Sequence, residues 1–372
     1  MIIKSIELKN FRNYENLNIS FDEGTNILYG DNAQGKTNIL EAAYLSGTTK
    51  SHKGSKDKEM IKFGEQESHI RTIVVKKQPG EDSLTKEYQI DMHLKDHRSK
   101  GIAVNKVPIK KASELFGILN MVFFSPEDLN IIKNGPAERR RFLDSELCQL
   151  DKIYLSDLTN YNKILNQRNK LLKDLVYRPD LKDTLPVWDM QLVETGKKII
   201  NRRKQFIEEL NEIVAQIHFR ISGGKEELCL KYEPNIDSIF FEDELNRAKE
   251  KDKKLCMTSV GPHRDDMLFS IKGIDIRKFG SQGQQRTSAL SLKMSEIELV
   301  KRSIHDTPVL LLDDVLSELD SSRQNYLLNS ISEIQTIITC TGLDEFVKNR
   351  FQINKVFEVI SGEVFEKERH GY

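Results

Sequence analysis

Cysteine is scarce. The chain has four, Cys148, Cys229, Cys256 and Cys340, and no CxxC pair. That scatter argues against a zinc site, and a chain of this size has no need of a disulfide framework. Long apolar runs are also missing. No stretch approaches the ~20 apolar residues of a membrane span, and the start, MIIKSIELKNFRNY, lacks the basic-then-apolar order of a secretory signal. These absences lead us to expect a reducing, cytoplasmic setting and no membrane partner. Net charge is missing as well, because 57 Lys and Arg face 57 Asp and Glu. A generally basic nucleic-acid coat protein is thereby excluded, and any anionic partner has to be met by a local patch. No internal repeat or low-complexity segment is present.

What the chain does have is pattern. Its 372 residues suggest about two structural units. Residues 2–8 alternate as a strand does, and Leu17–Phe21 repeats the pattern. Thr25–Tyr29 is a short run ending at Gly30, and helical apolar spacing follows through Ile39, Leu40, Ala43 and Tyr44. Residues 70–110 read as strand-rich, with polar turns near Pro79–Gly80 and Asp96–Ser99. From 136 to 220 the pattern is almost all helical. Leu158, Tyr161, Leu165, Leu172 and Leu175 keep a three-four spacing with a polar interruption at Arg168. Trp188, Leu192, Ile199, Phe206, Leu210, Ile213 and Ile217 do the same, and Pro179 and Pro186 separate the two runs. Two helices joined there would form an antiparallel hairpin with a narrow seam, either projecting as an arm or lying within an ordinary helical core. Strand patterns return near 228–232 and 267–276, and a helix is expected over 281–304. Pro308–Leu312 is a continuous apolar run of the kind buried on both faces of a sheet. A helix over 321–332 and a strand over Thr336–Thr339 complete an α/β pattern. We therefore expect an α/β fold in which residues 126–255 form a helical lobe inserted into one nucleotide-binding domain, built from 1–125 and 256–372.

Gly30-Asp31-Asn32-Ala33-Gln34-Gly35-Lys36-Thr37 fits GxxxxGK[ST] and lies between a predicted strand and a predicted helix, the context the motif requires. Its glycines let the backbone curl so that N–H groups face phosphate oxygens, and the following helix adds its positive end. Lys36 supplies a point charge to the β- and γ-phosphates and Thr37 a hydroxyl to Mg²⁺; Asn38 closes the nucleotide-binding stretch. Far downstream, Leu310-Leu311-Leu312-Asp313-Asp314 is an apolar strand ending in two acids. Asp313 would hold Mg²⁺ directly or through water. Asp314 would polarise the attacking water, so Lys36 and Asp314 are the catalytic candidates. Phe279–Arg286 reads FGSQGQQR and sets Ser281, Gln282, Gly283 and Gln284 at a helix N-terminus, a second place where N–H groups and a hydroxyl can meet an anion. Such a turn is usually no more than a helix cap; its position in the series gives it weight. Ser317-Glu318-Leu319-Asp320 follows the acidic pair closely.

Phosphate loop, serine-glycine-glutamine signature, apolar strand with an acidic pair, then SxLD: in this order the set resembles the ABC-type ATPases. Asn10-Phe11-Arg12-Asn13-Tyr14 and Asn32 are similar to the SMC branch rather than to transporters. The likeness sharpens to the RecF family of bacterial recombination mediators through Gly30–Asn38 with Leu40-Glu41-Ala42, Phe124–Leu129, Gly135-Pro136 and Arg139–Asp144, Gly261–Asp266, Gly280–Arg286 and Leu311–Asp320. It spans nearly the whole chain, and Gly-Pro-His-Arg-Asp-Asp and Arg-Arg-Arg-Phe-Leu-Asp are its most specific stretches. Two positions depart from the wider ABC pattern. Cys340-Thr341 stands where a switch histidine often sits, and Phe124-Ser125-Pro126-Glu127 where a glutamine is usual. RecF-like proteins share both departures, which speak against fast hydrolysis.

The resemblance implies an ABC-type, SMC-like P-loop ATPase head with an inserted helical lobe carrying a short antiparallel arm, and ATP and Mg²⁺ as cofactors. It implies a homodimer closed by ATP, in which Ser281 and Gly283 of one copy meet the γ-phosphate on the partner's phosphate loop, with Ser317 and Asp320 as the D-loop and Arg12 near the phosphates. It further implies slow, DNA-stimulated hydrolysis acting as a switch. The implied partners are duplex DNA at single-strand gaps, RecR and RecO, and indirectly RecA, in DNA replication, repair and the SOS response. The residues offer a DNA footprint of their own. Asn160–Lys204 holds eleven basic against five acidic side chains, with Lys163, Arg168, Lys170, Arg202, Arg203 and Lys204 prominent. Lys50, Lys53, Lys56, Lys58 and Lys62 cluster after the first helix. Each set reads equally well as a solvated face. Few aromatics interleave, so contact with phosphates fits better than base stacking. His263 and Arg264 either brace the ATP site or a lobe interface, or His263 is a hydrogen-bonded structural residue. Competing readings are a transporter subunit, which needs a coupling surface and usually the switch histidine; an architectural SMC protein, which needs arms of hundreds of residues; and a small-molecule kinase, which has no use for the Ser281 signature.

Overall fold

The computed structural model describes residues 1–78, 81–343 and 353–367. Internal contacts divide the chain into two compact units, Met1–Asp128 with Glu296–Tyr372, and Leu129–Ser295. Residues 256–295, grouped with the head in the sequence-based partition, thus fall within the second unit.

The first stretch supplies β1 (Ile2–Phe11), β2 (Tyr14–Ser20), β3 (Thr25–Tyr29), α1 (Lys36–Thr48), β4 (Glu67–Gln78), β5 (Glu81–Lys95), β6 (Arg98–Val104), β7 (Val107–Pro108) and β8 (Met121–Phe124). The middle supplies α2 (Leu129–Lys133), α3 (Pro136–Leu150), α4 (Lys152–Asp174), α5 (Leu185–Ile221), β9 (Leu228–Glu233), α6 (Phe241–Leu255), β10 (Asp266–Ile271), β11 (Ile274–Asp275), α7 (Ile276–Phe279) and α8 (Gln282–Ile304). The last stretch supplies β12 (Val309–Asp313), α9 (Ser321–Ser330), β13 (Thr336–Cys340), β14 (Ile353–Ile360) and β15 (Glu363–Lys367).

In the first unit one antiparallel sheet runs β2-β1-β4-β5-β6-β7. The other runs β15-β14-β3-β13-β12-β8 and is parallel except at β15. Ile39, Leu40, Ala42, Ala43 and Leu45 of α1 share one core with Ile3, Ile6 and Leu8 of the first sheet and with Val309, Leu311 and Ile337 of the second. Covered in this way, α1 needs apolar residues on more than one face. The Val309–Leu312 run is buried with β8 and β13 bonded on either side, as its continuous apolar character requires. Parallel pairing of β3, β13 and β12 brings their carboxyl ends together, where ligands of open α/β sheets bind.

In the second unit α4 and α5 form the antiparallel arm. Arg202 of α5 reaches Asp151 beside the start of α4, and Arg168 near its end reaches Asp189 near the start of α5. The prolines break the run where expected, and Leu171, Leu172 and Leu185 close the tip with Leu175, Leu181 and Trp188. Two features differ from the sequence expectation. Asp151 interrupts the helical run because its carboxylate accepts the N–H groups of Ile153 and Tyr154 at 2.9 and 3.0 Å, starting α4 afresh. The polar segment 241–255 folds as a third helix, α6, which meets the arm through Asp252. The turn expected at Pro79–Gly80 lies outside the described residues. Among the described residues no helix is long and apolar enough to cross a membrane.

Candidate functional site

The phosphate loop leaves β3 and turns into α1. Gly30 has φ 146°, and a Cβ there would lie 2.4 Å from the Val359 carbonyl oxygen. Gly35 has φ 116° and caps α1, where a Cβ would come within 2.8 Å of the Asn13 amide and the Tyr14 hydroxyl. Both positions therefore need glycine for conformation and for space. The loop is held from two sides. Asn13 donates through Nδ2 to the Gln34 carbonyl at 2.9 Å and accepts at Oδ1 from Asn38 at 2.8 Å. From the β14–β15 turn, the Gly362 N–H meets the Gln34 carbonyl at 3.2 Å and the Ser361 N–H meets Gln34 Oε1 at 2.5 Å. Lys36 is buried and donates to the carbonyls of Gly30 and Asp31 at 2.6 and 2.7 Å. Burial pushes its pKa down, against the opposing pull of Asp314, Cys340, Asp313 and Asp31.

The acids stand at the end of β12. Asp313 Oδ1 accepts the hydroxyls of Thr37 and Thr339, each at 2.7 Å. Asp314 takes a left-handed backbone, φ 53°, and its N–H meets the Thr339 carbonyl and hydroxyl at 3.2 and 3.1 Å. Burial and then the charge of Asp313 raise the Asp314 carboxyl above the usual carboxylate range. Ser317 donates to the Asp314 carbonyl at 2.8 Å, and Asp320 caps α9 by accepting the Arg323 N–H at 3.0 Å. A cavity of about 370 Å³ is lined by residues Asn32 to Asn38, Lys53, Pro126, Asp313, Asp314 and Thr339. Thr37 and Asp313 offer one hydroxyl and one carboxylate into it. Among the described residues no group of three or more His, Cys, Asp or Glu could hold a metal ion. So sparse an oxygen set fits Mg²⁺, which keeps several waters and takes phosphate oxygens as its remaining ligands.

The signature forms the start of α8. Ser281, Gln282 and Gly283 are exposed. Ser281 Oγ accepts the Gln284 N–H at 3.2 Å, and Gln284 Oε1 accepts the Ser281 N–H at 2.9 Å, a reciprocal capping box.

The remaining expected residues divide. Arg12 is not among the cavity residues. Its guanidinium is held by Glu41 at 2.7 and 2.8 Å, by the Glu59 carbonyl at 2.7 Å and by Ser55 at 2.8 Å. Lys53, grouped with the DNA residues, lines the phosphate cavity. Lys56, Lys163 and Lys170 are exposed, while Arg202 is partly covered and paired with Asp151 at 2.9 Å. Arg168 and Arg203 must be removed from the DNA set. Arg168 has no exposed side chain and binds Asp189 and Asp252, each at 2.7 Å. Arg203 is 2% exposed and binds Asp144 at 2.7 Å and Asp265 at 2.9 Å. Arginines enclosed in this way cannot reach a phosphate backbone. His263 is the hydrogen-bonded structural residue: Nδ1 lies 2.7 Å from the Tyr161 hydroxyl and Nε2 3.1 Å from the Thr258 carbonyl. Sequence reasoning gave no role to Asn13, Thr339 or the β14–β15 turn. Asn13 stood in a family motif and could have been flagged, whereas a lone threonine and two backbone N–H groups carry no spacing signal.

The sequence profile described as the RecF/RecN/SMC N terminal domain matches residues 2–363. The chain is 75% identical over 364 residues to the DNA replication and repair protein RecF of Agathobacter rectalis, covering 98% of this chain and 99% of that one. It is similar to a solved structure of the recombination mediator protein RecF with ATP in the RecFOR pathway, with TM-score 0.90, 37% identity, and coverage of 98% of this chain and 97% of that one. A Smc head domain with an extended coiled coil from Pyrococcus furiosus, at 18% identity and TM-score 0.55, shares the fold over 98% of this chain and 96% of that one.

Proposed function

The chain belongs to the RecF family of ABC-type ATPases, and from that premise we propose that it is a recombination mediator in which ATP closes two copies into a clamp on duplex DNA at single-strand gaps. The observation that carries the reading is the exposed capping box of Ser281. Its Oγ accepts a hydrogen bond from its own helix, so the hydroxyl proton remains to be donated, and the first N–H groups of α8 stand beside it. A γ-phosphate held on the phosphate loop of a second copy is the anion that such a donor set suits.

Within one copy, Lys36 exchanges its bonds to the Gly30 and Asp31 carbonyls for phosphate oxygens. Thr37 and Asp313 would hold Mg²⁺, which neutralises charge on the β- and γ-phosphates when bound. Asp314, its carboxyl raised by burial and by Asp313, accepts a proton from the attacking water. Pro126 lines the cavity within the stretch where the wider family carries a glutamine, and Cys340-Thr341 replaces the switch histidine. With fewer groups to orient the water, hydrolysis is slow, and its product loosens the dimer. Exposed Lys56, Lys163 and Lys170 meet DNA phosphates, so binding is sequence-independent, sensitive to salt and stimulates hydrolysis. RecR and RecO are the protein partners and RecA the recombinase served, in a cytoplasmic, nucleoid-associated setting that includes the SOS response.

The test is gapped-duplex binding by the wild type, Lys36→Met and Asp314→Asn, each with and without ATP. ATP should tighten binding of the wild type at least tenfold, leave Lys36→Met unchanged, and give Asp314→Asn a longer-lived complex. Equal affinity in all six measurements would remove the clamp model.

A further inference from the structure

Glu226 lies in the turn between α5 and β9, and its backbone is fixed by Ser222: the Glu226 N–H donates to Ser222 Oγ and the Ser222 hydroxyl donates to the Glu226 carbonyl, both at 3.1 Å. Its carboxylate accepts from Gln284 Nε2 at 2.8 Å. Its other oxygen lies 3.7 Å from Nε2 of His218, a fully buried residue in the last turn of α5, and His218 Nδ1 lies 3.0 Å from Ser291 Oγ on α8. Gln284 thus hydrogen-bonds one oxygen of the carboxylate, and the buried His218 ring lies beside the other, outside hydrogen-bond range.

An amide side chain has a donor end and an acceptor end, and a carboxylate accepts from the donor end alone. Glu226 thereby decides which way the Gln284 amide points. With Nε2 on Glu226, Oε1 is turned to the Ser281 N–H and completes the capping box. A flipped amide would set two oxygens together at Glu226 and two N–H groups together at Ser281. The amide half of the box holds the Ser281 backbone at the start of α8, where the backbone N–H of Gln284 occupies Ser281 Oγ as an acceptor and leaves the serine proton for an incoming oxygen.

We propose that Glu226 is a positioning residue for the signature: by orienting Gln284 it holds Ser281 as a hydrogen-bond donor to the γ-phosphate carried by a second copy. The proposal rests on the reading that Ser281 acts across an ATP-held dimer. It adds a carboxylate from a separate turn, 55 residues before the signature serine, to the machinery of closure.

The experiment measures the ATP-dependent dimer by sedimentation, and nucleotide affinity of the monomer with a fluorescent ATP analogue at low protein concentration. Glu226→Ala should weaken dimer association about tenfold, the scale of one lost hydrogen bond to a charged group. Glu226→Gln keeps an acceptor oxygen and should return to within about threefold of the wild type. Gln284→Met should lose at least as much as Glu226→Ala, because it also removes the bond to the Ser281 N–H, and the double variant should lose no more than Gln284→Met alone, because the Glu226–Gln284 contact is already gone in it. Monomer nucleotide affinity should stay unchanged throughout, a result that general loss of folding would not give. Wild-type dimerisation by Glu226→Ala, or strictly additive losses, would overturn the proposal if Ser281→Arg fails to dimerise. Wild-type dimerisation by Ser281→Arg would instead overturn the reading beneath it.

Discussion

Lys53 lines the same cavity as Lys36, yet the two lysines are prepared differently. Lys36 is buried and fixed on two carbonyls, a preorganised charge, whereas Lys53 is exposed at the end of a flexible stem. A mobile cation facing a triphosphate adds affinity without shaping the loop. Lys53→Ala is therefore expected to weaken ATP binding about three- to tenfold while leaving the melting temperature unchanged, read by titration with a fluorescent nucleotide. Unchanged ATP affinity with weaker ATP-free DNA binding would return Lys53 to the DNA footprint. Local backbone geometry was legible beforehand: a GxxxxGK[ST] stretch encodes its own curl, and Gly30 and Gly35 take the positive φ angles that the curl requires. Thr339 was not legible. Its hydroxyl matters because β13 lies between β3 and β12, and strand order is a property of the sheet rather than of any short stretch.

At the scale of elements, the arm shows how periodicity can be right about a helix and wrong about a residue. The three-four spacing placed α4 and α5 correctly, but Arg168 looked like an interruption and so like a surface cation. It occupies a seam position, surrounded by Asp189 of α5, Asp252 of α6 and Thr258. The partner that explains it was hidden because α6 reads as polar, FEDELNRAKEKDKKL, and buries just Phe241, Leu245 and Asp252. Removing one member of a buried ion group strands the other, at a cost of about 3–5 kcal/mol, whereas replacing both with apolar groups can be close to neutral. Asp252→Ala should accordingly lower the unfolding free energy by about 3 kcal/mol in urea titration. Arg168→Met combined with Asp189→Leu and Asp252→Leu, which removes all three charges of the group, should recover most of it. If the triple variant is no more stable than Asp252→Ala, the cost lies in packing and not in the stranded charge.

Over the whole molecule, zero net charge conceals a sorting by depth. Arg139, Arg168 and Arg203 are enclosed with carboxylates, while most lysines remain outside. The total and the local charge counts were legible in the sequence; the sorting was not, because it depends on which helices meet. Two half-buried histidines, one in each unit, follow the same logic. His52 stacks on Phe123 with ring centroids 4.0 Å apart. His263 is fixed between Tyr161 and Thr258: Nε2–H donates to the Thr258 carbonyl, so Nδ1 accepts from the tyrosine and a second proton there would break that bond. Burial, the main cause in each case, pushes both down to about 4. An unfolded histidine titrates near 6.5. Between those values the unfolded chain binds protons that the folded chain refuses, so stability falls as pH drops from about 6.5 toward 4, and above 6.5 neither group contributes. Each histidine adds a slope of up to about 1.4 kcal/mol per pH unit within that window. His263→Gln can keep both hydrogen bonds and cannot titrate. Urea unfolding of the wild type and His263→Gln between pH 7.5 and 5 should therefore give parallel stabilities above 6.5 and a shallower loss for the variant below it. Equal slopes across the whole range would mean that His263 takes up its proton in the folded state as readily as in the unfolded chain.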